Sequence, residues 1–324
     1  MRAIVFDQPG DESVLHIGEV DPPPLVSGAI RIRVHATAVN RADLLQRQGL
    51  YPPPPGASPI LGMECAGEVI EVASDVRGWR TGDRAMALLP GGGYAEEAVV
   101  DAGSAMHVPD ALSWDEAGAM PEVFLTAYLN VFELARAKRG EMLLIHGGGS
   151  GVGTAGTTLA KLAGLKVIVT AGSKEKCDRC VAHGADMAIN YRQEDFVERA
   201  HGTDIILDHI GAEYLARDLR ALGVGGRVVI IGMMGGVGRV EIDVGSLLAK
   251  RQQIIGSTLR ARSKEEKAAI VAGFLQRFGE DLRAGRVRPV IDRVFPLEKA
   301  AEAHRRMKTN EHFGKIVLRV RPSG

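Results

Sequence analysis

Met142-Leu143-Leu144-Ile145-His146-Gly147-Gly148-Gly149-Ser150-Gly151-Val152-Gly153 is the stretch that decides the fold. Four apolar residues make a strand-sized run, the glycines make a turn, and Gly151 to Ala163 follows with Ala155, Leu159, Leu162 and Ala163 on one helical face. From Glu141 onward this strand, turn and helix alternate. The strands are expected at 142–145, 167–170, 187–190, 204–208, 227–231 and 253–256. A regular alternation of this kind predicts an α/β fold, a doubly wound parallel six-stranded sheet with helices on both faces. A further helix, Pro121 to Ala137, should lead into it.

The glycines also point to a ligand. They let a backbone approach a pyrophosphate, whose charge is stabilised by the free amides at a helix N-terminus. A literal GxGxxG spells Gly151 to Gly156, but the tight turn belongs at the strand end. The better register is therefore Gly148, Gly149, Ser150, Gly151, Val152 and Gly153, with Ser150 where the second glycine would stand. An NAD site usually places a carboxylate at the end of the second strand, about twenty residues on. Here Val167-Ile168-Val169-Thr170 is followed by Ala171-Gly172-Ser173-Lys174-Glu175-Lys176, a hydroxyl and two ammonium groups. A 2′-phosphate suits that turn, so NADPH is favoured over NADH. Glu175, one turn into the helix, is expected to face solvent or pair with a neighbouring base.

Residues 1–120 read differently, with alternating strands such as Ile30 to Val34 and Gly67 to Val72 broken by Pro and Gly clusters, as an all-β lobe does. The tail, 286–324, returns to short strands at Val290 to Val294 and Lys315 to Leu318 around a helix at Leu297 to Met307, and should complete that lobe. Residues 121–285 are left for the dinucleotide domain. Two domains fit a chain of 324 residues, 45% hydrophobic and 25% charged. Lys and Arg number 40 against 40 Asp and Glu, so no basic surplus suggests nucleic acid. No apolar run approaches membrane length. Met1 to Gly10 lacks the pattern of a signal peptide, which leaves a cytoplasmic location as the expectation. Three cysteines fit a reducing compartment, and Cys177 and Cys180 read as neighbours on a polar helix with no second pair to complete a metal site.

Several stretches together resemble the zeta-crystallin-like quinone oxidoreductases of the medium-chain dehydrogenase/reductase superfamily. They are Val39-Asn40-Arg41-Ala42-Asp43-Leu44, Gln46-Arg47-Gln48-Gly49-Leu50-Tyr51 with Pro52 to Pro55, Leu61-Gly62-Met63-Glu64-Cys65-Ala66-Gly67 and Leu88 to Ala95. Gly172 to Lys176, Gly232-Met233-Met234-Gly235 and Gly314-Lys315-Ile316-Val317-Leu318 also match. The resemblance implies a GroES-like β lobe joined to a Rossmann domain, an active site in the cleft between them, and a homodimer through the edge of the Rossmann sheet. It implies Tyr51 against the nicotinamide, either as proton donor or as a wall of the pocket, and Asn40 hydrogen-bonded near the nicotinamide ribose or substrate. Asp43 is expected to be structural. Thr126 is implied at the domain junction, Tyr191 beside the adenosine phosphate, and Ser173 and Lys176 on the 2′-phosphate, with Lys174 in support. Gly232, Met233 and Met234 should flank the nicotinamide, and Leu259, Arg260 and Lys315 should add cofactor contacts.

The zinc alcohol dehydrogenases share this fold, and in them a cysteine stands where Asn40 does and a histidine where Met63 does. Neither an amide nor a thioether is a normal zinc ligand, so no metal is expected. His35, His146 and His209, beside apolar strands, are expected to be core or cleft-lining residues. Without a Lewis acid the chemistry suits an acceptor that already delocalises negative charge, such as a quinone or related conjugated carbonyl. An enoyl or enone reductase uses the same hydride step and stays as an alternative. A crystallin-like cofactor-binding protein is an alternative of another class.

Overall fold

A computed structural model describes residues 1–321. The chain forms two compact units, 1–125 with 259–321 and 126–258. Helix Pro121–Tyr128 carries the first division. This differs from the expected boundaries at 121 and 285. The stretch 259–285 joins the β unit because its contacts lie there: Arg260 bonds to Gln46 and to the Pro90 carbonyl. In the same stretch the Ala268 methyl of helix Lys264–Arg283 lies so close to Gly103 that a Cβ there would be 2.7 Å from it.

The second unit holds a six-stranded parallel sheet in the spatial order Met187–Asn190, Lys166–Ala171, Met142–Ile145, Thr203–Asp208, Leu222–Ile230 and Gln253–Gly256. In sequence order this is 3-2-1-4-5-6, the doubly wound arrangement of a Rossmann sheet. Strands buried on both faces read as continuous apolar runs, and Leu144, Ile168, Ile189, Ile206 and Val228 pack with Phe196 in one core. The fifth strand begins five residues before the expected Arg227, because Leu222 already pairs with Thr203 ahead of a register shift. Helix Gly151–Leu162 follows the first strand, as its spacing requires. The expected helix 121–137 is an α-helix to Tyr128 and a π-helix over Leu129–Leu134.

The first unit is built on a seven-stranded sheet in which Ala29–Val39 is the longest strand. The tail returns to it: Lys315–Arg319 pairs antiparallel with Ala29–Val39, and Ile291–Pro296 adds parallel to Lys315–Arg319. Ile30, Ile32, Val34, Val69, Leu89, Ile316 and Leu318 fill the core. The lobe is not all β, since helix Arg41–Arg47 follows directly on its longest strand. Among the described residues no helix is long and apolar enough to cross a membrane.

Gly67 shows how tightly the strands of this lobe pack. A Cβ there would stand 1.9 Å from the Arg33 carbonyl oxygen, a backbone atom that cannot rotate away. Gly67→Ala should therefore cost about 3 kcal/mol or more, since overpacking against a fixed backbone is not relieved by a rotamer change. Denaturant unfolding checks this, and an unchanged midpoint would contradict it.

Candidate active site

In a parallel sheet every strand ends at the same edge, and the second unit gathers there the loops singled out in the sequence. Ser150 caps helix Gly151–Leu162, its Oγ accepting the Gly153 amide at 2.9 Å. The first amides of a helix, here those of Gly151 and Val152, have no acceptor within it. Gly148 donates to the Thr170 carbonyl at 2.8 Å, which ties the loop to the second strand. A Cβ on Gly153 would lie 2.4 Å from the Gly147 oxygen and 2.7 Å from that of Gly148, so only glycine permits this turn. Positive φ at Gly147 (62°) brings the His209 imidazole over it, where a Cβ would meet Nε2 at 2.4 Å.

At the end of the second strand Ser173 caps helix Lys174–Ala182, its Oγ accepting the Lys176 amide at 3.2 Å. Its hydroxyl proton is left to donate to a ligand. Tyr191, 40% exposed at the end of the third strand, lays its phenol over Gly172, where a Cβ would be 2.7 Å from Oη. Lys174 is paired with Asp178 at 2.6 Å on the exposed face, and Glu175 is exposed. Gly232 to Met234 follow the fifth strand, with Met233 61% exposed and the Met234 amide donating to the His209 carbonyl at 3.0 Å. Thr126 is buried, and its carbonyl accepts from Asn130 Nδ2 at 2.7 Å. A glycine cradle that any side chain would fill, two capped helix N-termini and an aromatic wall fit a dinucleotide.

Asn40, Tyr51, Leu259, Arg260 and Lys315 all belong to the first unit. The register that pairs Ile316 with Val39 sets Lys315 beside Asn40. Lys315 Nζ donates to Asn40 Oδ1 at 2.6 Å, to the Val39 carbonyl at 3.1 Å and lies 2.8 Å from Glu64 Oε1. Asn40 Nδ2 donates to the same Glu64 oxygen at 2.9 Å, and the Glu122 amide donates to Oε2. The ammonium is held inside the protein by groups that are almost wholly buried. Among the described residues no three His, Cys, Asp or Glu side chains converge as a metal set.

Asp43 fastens the same region. Its carboxylate accepts the amides of Asn40 (2.8 Å) and Gly62 (3.0 Å), and burial pushes it up to about 6 against those donors. Burial lowers His304 to about 3, so the ring is neutral. Arg47 donates to His304 Nδ1, which leaves the proton on Nε2 to donate to Tyr94, whose hydroxyl donates to Asp43. Sequence reasoning singled out neither this chain nor the pairing of Glu64 with Lys315. Both join residues far apart in sequence, from Asp43 to His304 and from Glu64 to Lys315. His146 is a core residue, its Nε2 2.8 Å from Asp218 Oδ1 and its Nδ1 3.1 Å from Thr170 Oγ1. Nearby Asp208 is pushed up to about 6 by burial and by Asp218. His35 stacks on Trp114. The three cysteines are free and buried, and burial raises their thiols, Cys180 to about 12.

The fold and the two groups of residues define a dinucleotide-binding dehydrogenase or reductase. Two family models match, the alcohol dehydrogenase GroES-like domain over residues 26–110 and the zinc-binding dehydrogenase model over residues 183–318. The quinone oxidoreductase of Rattus norvegicus is 34% identical over 327 residues, covering 98% of this chain and 97% of the relative. Among solved structures, the quinone oxidoreductase of Thermus thermophilus, also determined with NADPH, matches with a TM-score of 0.82 at 31% identity, covering 99% of this chain and all of that one. The CurK enoyl reductase matches with a TM-score of 0.86 at 25% identity, covering 98% of each chain. The chain belongs to the quinone oxidoreductase family of the medium-chain dehydrogenase/reductase superfamily, and it is an oxidoreductase.

Breaking a buried ion pair strands the remaining charge, which costs about 3–5 kcal/mol, whereas replacing both partners costs much less. Lys315→Met and Glu64→Gln should each lower stability on that scale, and the double variant should recover much of the loss. Denaturant midpoints of the three variants decide it, and additive losses would contradict the pairing.

Proposed function

We propose that the protein is an NADPH-dependent reductase of quinones or related conjugated carbonyl compounds and works without zinc. The observation that carries the cofactor choice is the turn after the second strand. It offers the Ser173 hydroxyl, the N-terminus of a nine-residue helix and Lys176, beside the Tyr191 phenol, and puts no carboxylate at the strand end. The solved Thermus relative with NADPH supports the same choice. A zinc-free reaction is supported by the donor set, an amide at Asn40 and a thioether at Met63, and by the Lys315 ammonium, which already lies against Asn40 and Glu64.

When bound, NADPH supplies a hydride, two electrons and one hydrogen, to the acceptor. The protein holds the pyrophosphate with the amides of Gly148 to Gly153 and binds the 2′-phosphate through Ser173 Oγ, Lys176 and the positive end of their helix. Asn40 presents an amide whose orientation is set by Lys315 on the oxygen and Glu64 on the nitrogen. Tyr51 supplies the remaining proton from its phenol oxygen. An enone or enoyl substrate would draw on the same residues, a second reading favoured by the likeness to CurK. A cytoplasmic location accords with three reduced thiols. A homodimer accords with the sheet edge: strand Gln253–Gly256 lies last in the sheet, and helix Val244–Lys250 buries none of its residues and leaves Leu248 79% exposed. Leu248→Lys with Ile254→Lys should convert a dimer to a monomer in light scattering, and a wild-type monomer would contradict the proposal.

Steady-state rates with quinones, 2-enals and enoyl thioesters test the activity, and a large kcat/KM preference for the thioester would replace the quinone reading. Ser173→Asp with Lys176→Ala should weaken NADPH by roughly 10- to 100-fold while leaving NADH little changed, since a hydrogen bond to a charged group is worth about 1.5–3 kcal/mol. Equal losses for both cofactors would refute the phosphate assignment.

A further inference from the structure

Arg260 is held in a way that a cofactor contact does not explain. Its Nε donates to the Pro90 carbonyl at 2.7 Å and its Nη2 to Gln46 Oε1 at 2.6 Å, while Lys267 donates to its own carbonyl. Gln46 is fixed in turn, donating to the Pro59 carbonyl at 2.8 Å. Arg260 is only 6% exposed, and its Nη1 has no hydrogen-bond partner among the described residues. Its central carbon lies 5.3 Å from the centre of the Tyr51 ring. A cation at that range is drawn to the aromatic face, and more strongly to a phenolate than to a phenol.

We propose that Arg260 is a positioning residue for proton delivery by Tyr51, a fixed cation beside the ring that offsets the charge appearing on the phenol oxygen. The proposal rests on the reading of Tyr51 as proton donor. Hydride addition leaves the reduced quinone as a monoanion with one oxygen unprotonated. The Tyr51 O–H bond then breaks, its electron pair stays on the phenolate oxygen, and the proton closes the hydroquinone; water reprotonates Tyr51. Burial raises the phenol, Arg260 acts against that rise, and Glu122 adds to it. Burial works against the charge of Arg260 while Asp43 and Tyr51 favour it, and Arg260 in turn disfavours the charge of Lys267, which burial opposes first. Among the described residues the guanidinium thus makes the Tyr51 proton easier to release.

The test is a titration of cofactor-free protein labelled with 13Cζ-tyrosine, with the Tyr51 resonance assigned by its loss in Tyr51→Phe. Arg260→Met should raise the Tyr51 titration by roughly one pH unit. The alkaline limb of kcat should move up with it, and the rate at neutral pH should fall about three- to tenfold. Arg260→Lys should restore part of the shift. Gln46→Met keeps the cation but frees its anchor, so it should move Tyr51 in the same direction by less and serves if Arg260→Met does not fold. An unmoved Tyr51 titration overturns the proposal, and if it comes with a raised KM for NADPH then Arg260 serves the cofactor instead. A shifted titration with an unmoved alkaline limb instead overturns the donor role of Tyr51, and the proposal with it.

Discussion

Parallel strands share a direction, so a sheet made only of them must deliver all its strand ends to one edge. The structure of the second unit follows from that constraint. Residues separated by up to about ninety positions, from the Gly147 turn through Ser173 and Tyr191 to Met233, become neighbours because each follows a strand. The edge collects helix N-termini as well, since each crossover helix begins where a strand has just ended. Two of these N-termini are capped by serines, Ser150 and Ser173, whose oxygens satisfy an inner amide and leave the outermost ones pointing outward. Anion binding is thereby built into the topology before any charged side chain is added.

The first unit solves a different problem, holding polar groups in fixed orientations away from water. An isolated buried charge is prohibitively costly, and the two buried carboxylates here are answered by a partner of opposite sign or by several donors. Glu64 has Lys315, Asn40 Nδ2 and the Glu122 amide. Asp43 has two amides and a phenol. Each network fixes Asn40, one through its backbone and the other through both ends of its amide. An asparagine held in this way presents one orientation only.

Much of this was legible in the sequence. The six strands, the glycine turn and the hydroxyl-bearing turn at Ser173 are local features, read from runs of apolar residues and from glycine and serine at strand ends. The return of the tail to the β lobe was legible too, because Lys315 to Leu318 reads as a short β-like piece after the last helix. The domain limits were not. Whether 259–285 belongs to one unit or the other depends on Arg260 reaching Gln46 and Pro90, a contact between distant residues that no periodicity records. The pairing of Lys315 with Glu64 was not legible for the same reason, since it follows from the register with Val39, which turns the ammonium inward to Asn40 and Glu64. The lobe's helix Arg41–Arg47 was hidden by the strand-like pattern around it.

On the proposed reading, the turn after the second strand selects for the phosphate on the adenosine ribose. Calorimetric titration of the protein with adenosine 2′,5′-bisphosphate and with adenosine 5′-monophosphate tests that claim most directly, because neither fragment carries the nicotinamide and the two differ only at the 2′ position. Binding of the bisphosphate at least tenfold tighter is the predicted result. Equal affinities, or tighter binding of the monophosphate, would contradict it.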